Sequence, residues 1–293
     1  PLPTGRDTET LTEQHRVFGE PTVPAALLLL RALTSTGEAV GEAGTHDVVF
    51  AERGTGPGTL SVDLSAGTVT LNWGDRRIAR ARTGRVDTSA HPWPVTGEPD
   101  RALDPVGLYA WFEARGVEYG ADLAVIDEVG YDTTTAVCSI RRAPGVSDGF
   151  AAVAAVDAAL QSMAVLTMVD RSADEATLLP ASVAEAVPFG DPSRTDRVRV
   201  RLVAKETDGT RVADSELLDE EGRPLLVLRG VRYRPVPRPG TAGPRKTSER
   251  TSRIADTDPL PAPAPADPSP AAGVTEIVRT LLREPDLTPD TPF

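Results

Sequence analysis

Two helical stretches constrain this chain more than anything else in it. The first opens with Ala25-Ala26-Leu27-Leu28-Leu29-Leu30, continues to about Ser35 and is apolar nearly all round. The second spans residues 150–169, where Val153, Val156, Leu160, Met163 and Leu166 recur at helical spacing and define a broad buried face. A helix of this kind has to be wrapped by other structure. Each is followed by segments that supply the wrapping. After the first helix, residues 47–51, 59–64, 67–73 and 77–86 alternate or are rich in β-branched residues, with glycine turns between them. After the second, residues 197–205, 211–218 and 224–234 do the same, with turns at Asp208-Gly209 and Glu221-Gly222.

Helix followed by antiparallel meander thus occurs twice. The order predicts an α+β fold in which two antiparallel sheets each wrap a long central helix, a double hotdog arrangement. We place the N-terminal hotdog at residues 1–97 and the C-terminal one at 98–236. Residues 1–14 are polar and are expected to enter the fold as strand or loop. Residues 89–105 carry four prolines and no periodicity, and read as an ordered linker. A short helix at 106–115 puts Leu108, Trp111 and Phe112 on one face, and strands are expected at 123–130 and 133–142. Ser147 and Asp148 are the N-cap candidates for the second long helix. Pro24 suits the first turn of the other, where its missing N–H costs nothing. Residues 237–273 are a Pro/Ala-rich linker, and 274–293 hold one amphipathic helix too short to fold alone. A start without methionine and a stop just after that helix suggest a piece of a longer polypeptide.

Bulk properties exclude several functions. The net charge of −12 argues against nucleic acid, whose phosphates need clustered Lys and Arg. No stretch is expected to approach the ~18–20 apolar residues of a membrane span, the run at Leu27–Leu30 being too short, and no membrane partner is expected. The single Cys138 rules out an internal disulfide, suits a reducing cytoplasm, and sits in an apolar run as a small core residue. There is no Cys/His metal cluster in the sequence, no phosphate-cradling glycine loop and no nucleophile elbow.

The chemistry is concentrated in two places. His15 is one of three histidines, with Gly19 and Pro24 following it just before the first helix. Histidine is the side chain suited to act as a base near neutral pH. Asp157 lies mid-helix in the second apolar segment, with Gln161 one turn on and able to hydrogen-bond it. Burial should raise its pKa and make it a proton donor. Facing each other across one cleft, a histidine base and a carboxylic acid suit elimination of water. His15 would take the proton alpha to a thioester carbonyl and Asp157 would protonate the leaving β-hydroxyl. Backbone N–H groups near Gly19 or at a helix start would serve the enolate-like oxygen. His46 and His91 lack partners at ligand spacing and read as surface or turn residues.

His15-x3-Gly19-x4-Pro24 and Asp157-x3-Gln161 resemble the two signature motifs of dehydratase domains in modular polyketide synthases. Phe112 to Gly120, ending in Val117-Glu118-Tyr119-Gly120, looks like the tyrosine-glycine motif lining that family's substrate tunnel; Tyr119 serves either substrate contact or packing. Arg82-Thr83-Gly84-Arg85-Val86 resembles the strand closing the first hotdog. The likeness covers about residues 8–235, and residues 277–293 are similar to the first helix and loop of an acyl carrier protein domain. The resemblance implies a hydro-lyase with His15 and Asp157 as catalytic pair and Gly19, Pro24, Tyr119, Gly120 and Gln161 as substrate-binding residues. It implies no cofactor bound by the domain, a substrate carried on the phosphopantetheine of an acyl carrier protein, and partnership with the carrier and ketosynthase of the same module, with a homodimer compatible. Three features keep a second function open: Val23-Pro24-Ala25 where the family usually has Leu-Pro-Gly, Ala121 after Gly120, and a linker where a reducing module commonly has its ketoreductase. That alternative is a branching or cyclisation domain, acting by Michael-type addition or pyran formation at the β carbon without dehydration.

Overall fold

The computed structural model describes residue 3 and residues 6–35, 44–86, 99–170 and 176–239. Helix α1 spans Arg6–Glu13, followed by the short strands β1 (His15–Val17) and β2 (Glu20–Pro21) and by α2 (Ala25–Thr34). Then come β3 (Gly44–Phe50), β4 (Leu60–Ser65), β5 (Thr68–Trp73), β6 (Arg76–Gly84) and β7 (Arg101–Leu103). The second half holds α3 (Pro105–Ala114), β8 (Val117–Tyr119), β9 (Ile126–Tyr131), β10 (Thr135–Ile140) and α4 (Asp148–Val169). Strands β11 (Thr177–Pro188), β12 (Arg197–Lys205), β13 (Arg211–Leu218) and β14 (Pro224–Val236) complete it.

The two expected meanders are one surface. Eleven strands run in the order β4-β5-β6-β3-β11-β14-β13-β12-β10-β9-β7, and every adjacent pair is antiparallel. The halves join where β11 pairs with β3, with Ser182 opposite Val49 and Ala186 opposite Thr45. Strand β11 was not anticipated from the sequence. Its Pro180 and three alanines carry little β-propensity, and a bulge between Pro180 and Ser182 accommodates the proline.

Inside the sheet lie α2 and α4. Five of the first six residues of α2 are buried, and with ten residues it is too short to persist alone. Burial of each leucine, about 1.5–3 kcal/mol, supplies what propensity cannot. Pro24 occupies the N-cap of α2, one position before the first turn assigned to it from the sequence. Ser147 caps α4, its hydroxyl accepting from the Phe150 N–H at 3.1 Å. Contrary to the expectation that no stretch approaches membrane-span length, one segment does reach it. Asp148–Met168 is 21 residues with a mean hydropathy of 1.6, but its apolar window is wholly buried within the fold, which marks it as a core helix. Cys138 lies in that core with its Sγ against the Ser162 hydroxyl, and burial pushes the thiol up to about 11.

Other differences are local. Residues 6–13 form a helix, held by Leu11 and by the backbone-capping hydroxyl of Thr12, where strand or loop was expected. His46 lies within β3, partly exposed beside Asp47, and is not a turn residue. His91, most of the proline-rich linker at 89–105, and nearly all of the linker and terminal helix assigned to residues 237–293 lie outside the described residues.

Candidate active site

The site begins with a hairpin. Phe18 and Gly19 both have positive φ, 55° and 80°, the signature of the tight turn that matches strand twist, and they reverse the chain between β1 and β2. The turn brings Thr22 back beside His15. Thr22 donates its N–H to the His15 carbonyl at 2.8 Å, and His15 Nδ1 lies 3.0 Å from the Thr22 carbonyl. A carbonyl can only accept, so Nδ1 carries the proton, and the neutral ring keeps its lone pair on Nε2.

Strand β1 then pairs with β8, so that His15 stands opposite Tyr119. The two rings meet at 5.5 Å between centroids. This three-residue ladder crosses from the N-terminal to the C-terminal half. Gln14, next to His15, ties it down: its carbonyl accepts from the Gly120 N–H, its Nε2 donates to Asp122 Oδ2 at 2.7 Å, and its Oε1 accepts from the Asp122 N–H at 3.0 Å. A Cβ on Gly120 would stand 2.7 Å from Gln14 Cγ, so this glycine is required by close approach.

Helix α4 brings Asp157 from the other half. Asp157 is 3% exposed and Gln161 2%. Gln161 Nε2 donates to Asp157 Oδ2 at 2.8 Å and to the Leu123 carbonyl at 3.2 Å. Its Oε1 accepts from the Tyr109 hydroxyl at 3.0 Å, and that hydroxyl accepts from the Ile126 N–H at 3.1 Å. The Leu123 carbonyl fixes the orientation of the Gln161 amide, because a carbonyl can only accept and must face the NH2 group. Oδ2 of Asp157 is thereby an acceptor, and a proton on the carboxyl belongs on Oδ1. Burial pushes the Asp157 carboxyl above the ordinary carboxylate range, while nearby His15 and the Gln161 hydrogen bond pull in the opposite direction.

His15, Asp157 and Tyr119 line a single cavity of about 100 Å³. That is room for roughly three waters, or for the reacting end of a short acyl chain. Ala25 and Leu28 of α2, Leu160 and Met163 of α4, Leu178 and Leu179 of β11 and Tyr233 of β14 complete much of its wall, with Arg53 and Arg115 also contributing. The other residues singled out from the sequence do not line it. Gly19 makes the hairpin turn, Pro24 caps α2, Gly120 packs on Gln14, and Gln161 holds Asp157; none of the four is among the cavity residues. Of the two backbone sites suggested for the enolate-like oxygen, Gly19 is not among the residues lining the cavity. The start of α2 lines it, through Ala25, and no side chain caps that helix end. Tyr109 and Gln14 were not picked out from the sequence, since their roles rest on partners 52 and 108 positions away. Among the described residues no group of three or more His, Cys, Asp or Glu is placed to hold a metal.

Comparison with known proteins agrees with this architecture. The family model for the polyketide synthase dehydratase N-terminal domain matches residues 88–243, just over half of the chain. Comparison with the curated proteins found no match. Among solved structures, the dehydratase domain of a mycocerosic acid synthase-like polyketide synthase is similar with a TM-score of 0.65 at 22% identity, covering 80% of this chain and 90% of that one. The dehydratase domain of RzxB from Pseudomonas fluorescens gives 0.65 at 22%, covering 80% and 93%. That of PpsC from Mycobacterium tuberculosis, solved in complex with C12:1-CoA, gives 0.63 at 19%, covering 77% and 89%. The wrapped helices, the joined sheet and the family match lead to one assignment: this chain has the double hotdog fold and belongs to the polyketide synthase dehydratase family.

Proposed function

We propose that the domain eliminates water from a β-hydroxyacyl thioester carried on the phosphopantetheine arm of an acyl carrier protein, with His15 as base and Asp157 as acid. The observation that carries this reading is the meeting of His15 and Asp157, from opposite halves of the fold, in the wall of one largely apolar cavity. Nε2 of His15 takes the proton from Cα. The freed electron pair forms the Cα=Cβ double bond, the Cβ–O bond breaks, and Oδ1–H of Asp157 protonates the departing oxygen. His15 ends protonated and Asp157 ionised, and proton exchange through water resets both. Negative charge gathers on the thioester oxygen as Cα loses its proton. The N–H groups at the start of α2, where Ala25 lines the cavity and no side chain caps the helix, would receive it.

The elevated carboxyl of Asp157 supports the acid role, because a neutral Asp157 has a proton to give. The donor set of the cavity wall needs no cofactor for this chemistry. The family supports an acyl carrier protein and a ketosynthase as partners. Michael-type addition or pyran formation at the same β carbon would use the same base, and no feature of the cavity favours it over elimination.

The test is direct. The folded domain is incubated with β-hydroxyacyl pantetheine thioesters of several chain lengths, and the products are followed by mass spectrometry. Loss of one water, abolished in His15→Ala and Asp157→Asn, is expected. An intact domain that leaves every chain length unchanged would sink the proposal.

A further inference from the structure

Tyr233 sits on the inner face of β14, 3% exposed, and its hydroxyl has no hydrogen-bond partner among the described residues. Strand alternation turns it inward while Arg232 and Arg234 on either side point out, Arg232 to Glu206 at 2.6 Å. Buried hydroxyls are nearly always paired. Tyr109, another deeply placed tyrosine near Asp157, obeys that rule by accepting from Ile126 and donating to Gln161. Tyr233 differs in lining the same cavity as His15 and Asp157. A phenylalanine would fill the same volume without leaving a polar atom unmatched, so packing alone does not account for the hydroxyl.

Two observations say which part of a ligand would meet it. Burial, and after it the charge of Asp157, push the Tyr233 phenol well above its ordinary range, so its proton is retained and it acts as a donor. Tyr233 and Asp157 also line the same small cavity, so a ligand atom brought to the carboxyl comes into the space that Tyr233 borders. In the elimination proposed above, the substrate atom that comes to Asp157 is the β-oxygen. That oxygen has two lone pairs, one for Oδ1–H of Asp157 and one for a second donor.

We infer that the Tyr233 hydroxyl donates a hydrogen bond to the β-oxygen of the acyl substrate and so selects for β-hydroxyacyl over β-deoxyacyl chains. The inference rests on the dehydratase reading. Tyr233 transfers no proton in this scheme. It holds the Cβ–O bond where Asp157 can protonate the oxygen as it leaves.

The test is a binding cycle run beside turnover. Wild type and Tyr233→Phe are titrated with two pantetheine amides of equal length, one bearing a 3-hydroxyl and one saturated at that carbon, since the amide resists hydrolysis. Wild type should prefer the hydroxylated ligand by about tenfold or more, the size of one good hydrogen bond. Tyr233→Phe should erase about tenfold of that preference, leave affinity for the deoxy ligand unchanged, and melt at the same or a higher temperature. Equal preference in both proteins, equal weakening for both ligands, or a variant that melts several degrees lower overturns the assignment. Elimination by wild type with a flat cycle removes only the Tyr233 contact. An intact cycle without elimination removes the dehydratase reading and leaves the contact standing.

Discussion

Replacing Gln161 by methionine should move the pH dependence of elimination, and the structure gives the direction and size. Gln161 donates to Oδ2 of Asp157 inside a dry site. A hydrogen bond donated to a carboxylate favours the charged form, so it holds the Asp157 pKa down against the upward push of burial. Methionine keeps the length and bulk of the side chain and removes the donor. A hydrogen bond to a charged group is worth about 1.5–3 kcal/mol, and one pKa unit corresponds to about 1.4 kcal/mol, so the Asp157 pKa should rise by about one to two units. In the proposed mechanism Asp157 works in its protonated form. Activity is therefore lost as pH rises through its pKa, and the basic limb of the kcat profile should move to higher pH by the same amount. The assay is the initial rate of water loss from a β-hydroxyacyl pantetheine thioester, measured across the pH range in which the variant stays folded. The variant also strands the Tyr109 hydroxyl and the Leu123 carbonyl, each costing about 1–3 kcal/mol, so a lower melting temperature is expected and has to be mapped first. A basic limb that stays put, or moves to lower pH in a folded and active variant, would refute the assignment of the acid to Asp157 under Gln161 control.

Other outcomes follow from the same geometry. His15→Ala and Asp157→Asn should each lower kcat by about 10²–10⁴-fold, and the double variant should be little worse than either, as for groups acting in one step; rates from purified folded variants check this. Asp157→Asn should also change the pH dependence of stability. With its folded pKa raised above the unfolded value of 3.8, Asp157 stays protonated in the folded chain through that window, so wild-type stability falls as pH rises across it; the asparagine variant should lose that slope in denaturant melts. Gly120→Ala forces a Cβ to within 2.7 Å of Gln14 and should break the hydrogen bonds to Asp122, costing about 1–3 kcal/mol and lowering kcat/KM through the displaced Tyr119; melting and kinetics on one sample read both effects. Tyr109→Phe should leave the Ile126 N–H and Gln161 Oε1 unmatched and destabilise by about 1–3 kcal/mol, readable in urea unfolding.

The parts of the fold visible in the sequence are those whose causes are local. The periodicity at 150–169, the Ser147 cap, the one-turn spacing of Asp157 and Gln161, and the alternation of β5 and β6 all act within a few residues. Strand β11 escaped because its partners β3 and β14, more than its own Pro- and Ala-containing residues, make it a strand. Helix α1 escaped for a similar reason, since Leu11 is the only aliphatic core residue among its eight. At the site, His15 and Asp157 were legible by residue type and neighbourhood. The roles of Gly19, Pro24 and Gly120 as turn, cap and close-approach residues, and the importance of Tyr109, Gln14 and Tyr233, depend on contacts made across the fold.

The three-residue pairing of β1 with β8 also governs when the reactive centre comes into being. His15 and Tyr119 are register partners, yet the ribosome makes one more than a hundred residues before the other. At about 5–20 residues per second, the segment bearing the histidine waits several seconds for the strand that orients it, and longer for α4 to deliver the carboxylic acid. A nascent or nicked N-terminal half therefore has a histidine and no enzyme. On the proposed mechanism, chemistry requires that the two repeats zip together, because the base and the acid come from opposite halves.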